Sequence, residues 1–528
     1  MESILLIIAV IILLCIGANR FSDKFGMPVL LLFILLGIIF GVDGPLGIQF
    51  DDYGLTEKVC SIALAFIMFF GGFGIKWSVA KPVVVKSALL STAGVILTAL
   101  LTTGFCVAVL KFGFKESFLI GAVLSCTDAA SVFSILRSKN LSLKDGTASM
   151  LEIESGSNDP VAYMLTILGI YLMNDNPGNF GMLLLAQISV GVIVGVAVAK
   201  IAEWIMRKTD IITAGMDTIF ITAIVLISYA LPLAFNGNGY LSVYLTGIIL
   251  GNSRIANKNV LVHFFDGITN LSQIVIFFLL GLLATPHRMP EVILPAIGIA
   301  AFLAIFARPM AVRAVLSFFN INIRQYTLVS WAGLRGASSI VFAIYVMANG
   351  VALEHDIFHI VFMVAISSVA IQGTLLPFIA KKLEMIDENS DVRKTFNDYQ
   401  EDETMTLMRM YIPKGHNWEN SKISEVHIPT GSLALMIKRD GETIIPKGDT
   451  VILAEDSIIL SVPSYRGHSD IELEEIYIDK KHEWCGKSIE ELQLPPNILI
   501  AVIKRQEKNI IPRGKTVIQE NDIVVTYK

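Results

Sequence analysis

The feature that most limits what this chain can fold into is a succession of apolar runs of membrane-spanning length, starting at Ile4 and stopping near Leu383. A helix needs about 20 mostly apolar residues to cross the hydrocarbon. Inside the bilayer a backbone must satisfy its own polar groups, which leaves helices or closed barrels. Runs of this length specify helices. About 13 spans are expected, at 3–19, 26–42, 57–74, 85–109, 116–137, 151–173, 182–206, 213–235, 239–252, 264–285, 291–318, 325–349 and 355–380. The short segment 239–252 reads as a tilted or partial span. Composition agrees, since 16% of residues are charged and mean hydropathy is +0.65. Soluble chains carry roughly a quarter charged residues. The first run lacks the basic flank and cleavage site of a signal peptide and reads as a first span.

Loop charge gives an orientation. One alternate set of loops holds Arg20, Lys24, Lys76, Lys81, Lys86, Arg137, Lys139, Lys144, Lys200, Arg207, Lys208, Arg254, Lys258, Arg313, Arg324, Lys381 and Lys382. The other holds only Lys58, Lys111, Lys115 and Arg288, among acids such as Asp43, Asp51, Asp52, Asp175, Glu354 and Asp356. The basic set is expected in the cytoplasm. That places the N-terminus outside and the C-terminus inside, as an odd span number also requires. The net charge of −5 favours neither nucleic acid nor an acidic partner. Cys15, Cys60, Cys106, Cys126 and Cys485 have no paired or ligand spacing, so neither a disulfide framework nor a zinc site is expected.

From Glu384 the composition turns polar, and 384–403 reads as a linker after a membrane domain at 1–383. Residues 404–466 and 467–528 form an internal repeat aligned without gaps at a shift of 66. Trp418 matches Trp484, Ile437-Lys438-Arg439 matches Ile503-Lys504-Arg505, and Ile444-Ile445-Pro446 matches Ile510-Ile511-Pro512. Each copy predicts a strand, a short helix (near Ile423 and Ile489), then three or four short strands. This is a small soluble α+β module used twice.

Within the membrane part, three stretches carry chemistry. Leu151 to Pro160 reads LEIESGSNDP and opens an apolar run. An Asp at mid-bilayer costs on the order of 3 kcal/mol to insert, so carboxylates retained there usually mark an ion or proton path. Asp159 is therefore the principal candidate. Its alternative is an interfacial cap, since Pro160 suits a first helical turn and Ser155, Ser157 and Asn158 are capping types. Ser125-Cys126-Thr127-Asp128 interrupts the fifth span with polar groups, and Trp331-Ala332-Gly333-Leu334-Arg335-Gly336 interrupts the twelfth with glycines and an arginine. Interrupted spans at corresponding places in two inverted halves mark transporter binding sites. Packing glycines are the alternative. Glu154 and Arg335 are expected to form a buried, structural ion pair. Arg308 either caps broken-helix carbonyls or snorkels to the interface. The histidines are scattered and receive no role.

Taken together, CTDAASVFSIL (126–136), LEIESGSNDP (151–160) and WAGLRGA (331–337) resemble the monovalent cation/proton antiporter-1 family, its bacterial potassium/proton branch above all. The repeat resembles the C-terminal half of the regulator-of-potassium-conductance module (RCK_C or TrkA-C), without a GxGxxG nucleotide-binding half before it. The resemblance implies a polytopic α-helical exchanger of the bacterial inner membrane. It makes Asp159 the main cation and proton ligand, supported by Asp128, Thr127, Ser155 and Asn158, with Glu154 and Arg335 holding the core. It also implies a homodimer and a regulatory tail, for which cyclic di-AMP is the leading ligand and Lys438, Arg439, Lys504 and Arg505 the candidate basic positions. Two departures stand out. Phe70 precedes Gly71-Gly72 where many relatives have an acid, and Ala337-Ser338-Ser339 replaces the more usual Ala-Val-Pro.

Burial favours a protonated carboxylate and a bound cation favours the ionised form. One site then holds either a proton or a cation, and alternating access couples the two. Asn158 cannot ionise, so one cation exchanged for one proton moves no net charge. The expected activity is electroneutral K⁺/H⁺ antiport, with Na⁺ (or Li⁺)/H⁺ antiport by the same residues as the alternative. A passive channel gated by the tail lacks a TVGYG-like filter. No cofactor, no resident metal and no enzymatic constellation is expected.

Overall fold

The computed structural model describes residues 2–25, 28–139, 141–174, 179–208, 215–253, 255, 257–387, 405–429, 432–439, 442–463, 473–480, 482–492, 494, 499–505 and 508–527. Most of the expected linker, the boundary between the two repeat copies, and the loop residues Asp175 and Arg254 lie outside these. The chain divides into two compact units, Met1–Gln400 and Glu401–Lys528.

The first unit is helical. Its main helical segments are α1 (Glu2–Phe25), α2 (Val29–Phe40), α3 (Tyr53–Gly74), α4 (Val84–Leu110), α5 (Phe114–Val123), α6 (Ala129–Ser138), α7 (Thr147–Met173), α8 (Phe180–Lys208), α9 (Asp217–Ala234), α10 (Gly239–Asn252), α11 (Lys258–Leu283), α12 (Pro286–Leu316), α13 (Ile323–Trp331), α14 (Ala337–Ala348) and α15 (Ile357–Lys382). Among the described residues, seven of them are long and apolar enough to cross a membrane: α3, α4, α8, α9, α11, α12 and α15. Shorter apolar stretches occur in α1, in α2 and in α14. Helix α7 has 27 residues but is not one of the seven. Its first half carries Glu152, Glu154, Ser155, Ser157, Asn158 and Asp159.

Small residues set the packing. A Cβ on Gly247 of α10 would lie 2.3 Å from the Phe69 carbonyl of α3, and one on Gly72 of α3 would lie 2.5 Å from the Tyr244 carbonyl. Helices can approach this closely only where side chains vanish, which is how helices associate when lipid is as apolar as their own surfaces. The 14-residue α10 is thus held backbone to backbone rather than by length. The two interruptions fall where the polar residues and glycines stand: α5 stops at Val123 and α6 starts at Ala129, while α13 stops at Trp331 and α14 starts at Ala337. Two widened π turns matter below, Leu303–Ala307 inside α12 and Ser368–Gly373 inside α15.

The second unit contains two four-stranded antiparallel sheets. Strands β1 (Met405–Tyr411), β2 (Leu433–Arg439), β3 (Glu442–Ile444) and β4 (Ser457–Pro463) lie in the order β1-β4-β2-β3. Strands β5 (Leu473–Tyr477), β6 (Leu499–Arg505), β7 (Lys508–Ile510) and β8 (Ile523–Tyr527) repeat it as β5-β8-β6-β7. Both sheets shift register at the same place, between Ala434 and Met436 and between Ile500 and Val502. The helix expected near Ile489 is a single 3₁₀ turn, Ile489–Leu492. Around Ile423 the chain makes turns instead, with the Asn420, Ile423 and Ser424 amides donating to the Ile452, Thr450 and Gly448 carbonyls, as Gly486, Ile489 and Glu490 do to Ile518, Thr516 and Gly514 in the second copy.

Duplication extends to single contacts. Arg439 donates from Nε and Nη2 to the Asp456 carboxylate at 2.8 and 2.7 Å and from Nη2 to the Val451 carbonyl at 2.8 Å. Arg505 does the same to Asp522 and Val517, at 2.8 Å throughout. Burial alone would raise the two aspartates, but the arginine hydrogen bonds and a backbone amide (Leu453 or Gln519) outweigh it and hold both below the usual carboxylate range. Carboxylates depressed in the folded state stabilise it above their unfolded value of about 3.9 and cease to do so as pH falls through the folded value. In hydrogen exchange on the full chain, protection of β8 should therefore stay level from pH 7 to 5 and fall at more acid pH. Asp522→Asn should cost this copy about 1–3 kcal/mol and leave protection of β4 unchanged. Equal loss in both copies would show that the pair does not act within its own sheet.

Candidate functional site

The site is built where the two interruptions meet. A helix that stops leaves its last carbonyls and the next helix's first amides without partners. Here each break supplies the other. The Asp128 amide donates to the Leu334 carbonyl at 2.8 Å. Arg335 reaches from the second break to the first, and its Nη1 donates to the Ser125 and Cys126 carbonyls at 2.8 and 2.6 Å. The Arg335 side chain is 2% exposed, and its own amide donates to Ser368 Oγ on the π turn of α15. Ser368 in turn donates to Gln372 Oε1, and the Trp331 indole donates to the Gln372 carbonyl.

Glycines permit the crossing. A Cβ on Gly336 would lie 1.8 Å from Asp128 Oδ2, and one on Gly333 would lie 2.7 Å from Arg308 Nε. The glycines of the WAGLRGA motif thus do more than break a helix. They admit an aspartate and an arginine from neighbouring segments.

Helix α7 runs past the crossing. Pro160 lies well inside it, so Asp159 is a mid-helix residue and the interfacial-cap alternative does not hold. Ser155, Asn158 and Asp159 share one face at i, i+3 and i+4. Ser155 Oγ donates to the Thr127 carbonyl at 2.8 Å, and Asn158 Nδ2 donates to Thr127 Oγ1 at 2.6 Å. These two residues tether α7 to the first break. Asp159 faces the second one, where Ser338 Oγ donates to its Oδ2 at 2.6 Å. Asp159 Oδ1 and Asn158 Oδ1 are buried acceptors with no hydrogen-bond donor among the described residues. Pro160 has no amide for the Gly156 carbonyl, and the Pro160 carbonyl accepts from Asn238 Nδ2 at 2.8 Å.

Two expected roles are exchanged. Glu154 pairs with Arg308, not with Arg335: Nη1 lies 2.6 Å from Oε1 and Nη2 donates to Oε2 at 2.8 Å, with both side chains at most 3% exposed. Arg335 performs the broken-helix capping considered for Arg308. The reason is positional. Arg308 follows the π turn Leu303–Ala307 and lies against Gly333, whereas Arg335 stands inside one break beside the carbonyls of the other. Asp128 is half-buried and accepts from the Ser131 amide and hydroxyl at 3.2 and 2.6 Å, so it caps α6. Thr127, Asn158, Ser155 and Asp159 are all buried in one neighbourhood.

Sequence reasoning passed over Ser338, noted only as a departure from the usual motif, and also Ser339, whose hydroxyl meets Cys126 Sγ at 3.2 Å. Ser368 and Gln372 carried no signal, since isolated polar residues in an apolar helix announce no partner. Phe70 is buried in α3 and packs in an apolar cluster with Phe69 and Phe73. In the second unit Arg439 and Arg505 are committed to Asp456 and Asp522, while Lys438 is exposed.

The family profile described as sodium/hydrogen exchanger, transmembrane, matches residues 8–382, and that of the TrkA-C domain matches 407–465 and 473–525. A K⁺/H⁺ antiporter, NhaP, of Alkalimonas amylolytica is 33% identical over 462 residues, covering 86% of this chain and 80% of its own. A K⁺/H⁺ antiporter, NhaP2, of Shewanella oneidensis is 29% identical over 530 residues, covering 99% of this chain and 80% of its own. Among solved structures, the sodium proton antiporter MjNhaP1 of Methanocaldococcus jannaschii at pH 8 superposes with a TM-score of 0.64 at 24% identity, covering 72% of this chain and 99% of that one. It therefore shares the antiporter's helical fold. With the exchanger profile spanning α1 to α15, this chain belongs to the sodium/hydrogen exchanger family and carries two TrkA-C domains behind its membrane unit.

Proposed function

We propose that the chain is an electroneutral K⁺/H⁺ antiporter in which Asp159 carries the cation and the proton in turn. The observation that carries this reading is the partner set of Asp159: one hydroxyl, from Ser338, on a buried carboxylate whose other oxygen has no donor among the described residues. A serine hydroxyl donates to a carboxylate and accepts from a carboxylic acid. It supports both states of an exchanging group. An arginine in its place would lock the charge, as Arg308 does for Glu154. Thr127, Ser155 and Asn158 position the site, Asp128 supports it through the cap on α6, and alternating access opens it to each side in turn.

Several finer readings belong to the same proposal. The membrane unit crosses thirteen times in two inverted halves, with α5–α6 and α13–α14 as the corresponding broken spans. The N-terminus is outside, the C-terminal unit is cytoplasmic, and the protein works as a homodimer in a bacterial inner membrane. Potassium is favoured by the NhaP and NhaP2 relatives and by the TrkA-C tail. Sodium is the second reading, favoured by a low-affinity Na⁺/H⁺ antiporter of Synechocystis that is 25% identical over 391 residues. The tail regulates exchange. Cyclic di-AMP is the ligand to try first, at positions other than the engaged Arg439 and Arg505.

Cation-driven proton flux in inverted vesicles, with K⁺ and Na⁺ compared, tests the core of this. Asp159→Asn should abolish flux with either ion, and normal flux would move the ion site to Asp128. Ser338→Ala should lower exchange about 10- to 100-fold while the protein still inserts, as expected for a hydrogen bond to a charged group worth about 1.5–3 kcal/mol. Exchange rates in proteoliposomes should not respond to an imposed membrane potential; a potential-dependent rate would overturn the one-for-one stoichiometry. Glu154→Gln leaves Arg308 buried without its counter-charge and should cost about 3–5 kcal/mol of stability in detergent. The double change Glu154→Gln with Arg308→Met should cost less, and additive losses would show that the two residues act separately.

A further inference from the structure

A second cluster of ligand-bearing side chains lies apart from Asp159, at an end of the membrane unit that carries acidic loops. Glu116 stands in the first turn of α5, and Glu354 and His355 precede α15. One ligand atom from each lies within 4.8 Å of the other two. The fold brings these positions together across 239 residues of sequence. Glu116 is buried, and its carboxylate accepts the His355 amide at 2.8 Å and meets His355 Nδ1 at 2.8 Å. The imidazole stacks on Phe112 with ring centroids 3.8 Å apart. Its side chain is nevertheless 36% exposed, and Glu354 is exposed beside it.

We propose that Glu116, Glu354 and His355 form a binding site for a borderline divalent cation of the Zn²⁺, Ni²⁺ or Co²⁺ class. The donor set is one imidazole nitrogen and two carboxylates. Such a set suits these ions, while Mg²⁺ and Ca²⁺ prefer oxygen alone. Two carboxylates and a neutral imidazole also balance a double positive charge. Stacking and the amide hydrogen bond fix the ring and the buried carboxylate, so most of the ordering precedes binding. The Nδ1 and Oε2 atoms that meet at 2.8 Å are the two donors between which the ion would sit. Glu354 completes the set from the solvent side by a side-chain rotation. The ion would join the start of α5, which leads to the first break, to the loop that opens α15, whose Ser368 supports the second.

Untagged full-length protein in detergent at constant pH, titrated calorimetrically with Zn²⁺ and separately with Mg²⁺, tests the site. We expect one Zn²⁺ per chain and no comparable Mg²⁺ binding. His355→Gln and Glu354→Gln should each weaken Zn²⁺ binding about tenfold or more, while cation/proton exchange without Zn²⁺ stays at the wild-type rate and reports that the variants fold. Zn²⁺ binding of equal strength in the wild type and both variants, or no stoichiometric binding in the wild type, would overturn the assignment.

Discussion

A helix broken inside hydrocarbon must find partners for every amide and carbonyl it releases, because no water is there to take them. Each unmet group costs several kcal/mol. The architecture around Asp159 is organised by that demand. The Ser125 and Cys126 carbonyls take Arg335, the Asp128 amide takes the Leu334 carbonyl, and the Arg335 amide takes Ser368. Neither break is satisfied without the other. The glycines at 333 and 336 and the π turns in α12 and α15 are the local irregularities that let the partners arrive. Such irregular turns recur at functional positions because they re-aim single residues without ending the helix.

Two carboxylates on one helix show how environment divides labour. Glu154 and Asp159 are a turn and a half apart on α7, and both are buried. Glu154 pairs with the buried Arg308 guanidinium as part of the framework. Asp159 accepts a hydroxyl, from Ser338, and meets no cationic side chain among the described residues. The contrast lies in the partner, since the residue types are near equivalents.

Much of this was legible in order and little of it in pairing. Polar and glycine interruptions placed the breaks near Thr127-Asp128 and Gly333–Gly336, and the family resemblance grouped Ser155, Asn158 and Asp159 before the helix put them on one face. The exact shift of the repeat foretold that Arg439 and Arg505 would behave alike. Pairing failed where two arginines competed for one glutamate. Arg308 and Arg335 are both plausible partners of Glu154 by type, and only the π turn ahead of Arg308 and the position of Arg335 inside a break decide between them. Ser338 was visible as an odd residue in a familiar motif, but a lone hydroxyl does not name its acceptor. Glu116 and His355 meet only through tertiary structure, so no spacing rule could have joined them.

The crossing also has a mechanical consequence. A backbone hydrogen bond, a buried guanidinium and the side-chain-free contact at Gly336 fasten the two interrupted segments at one point. Such a joint resists shear, because sliding by even one residue would strand several polar groups in oil at once. It is therefore a rivet and not a hinge. On the proposed exchange by Asp159, the riveted segments travel as a single piece, and the compliance for that motion resides elsewhere in the helical unit.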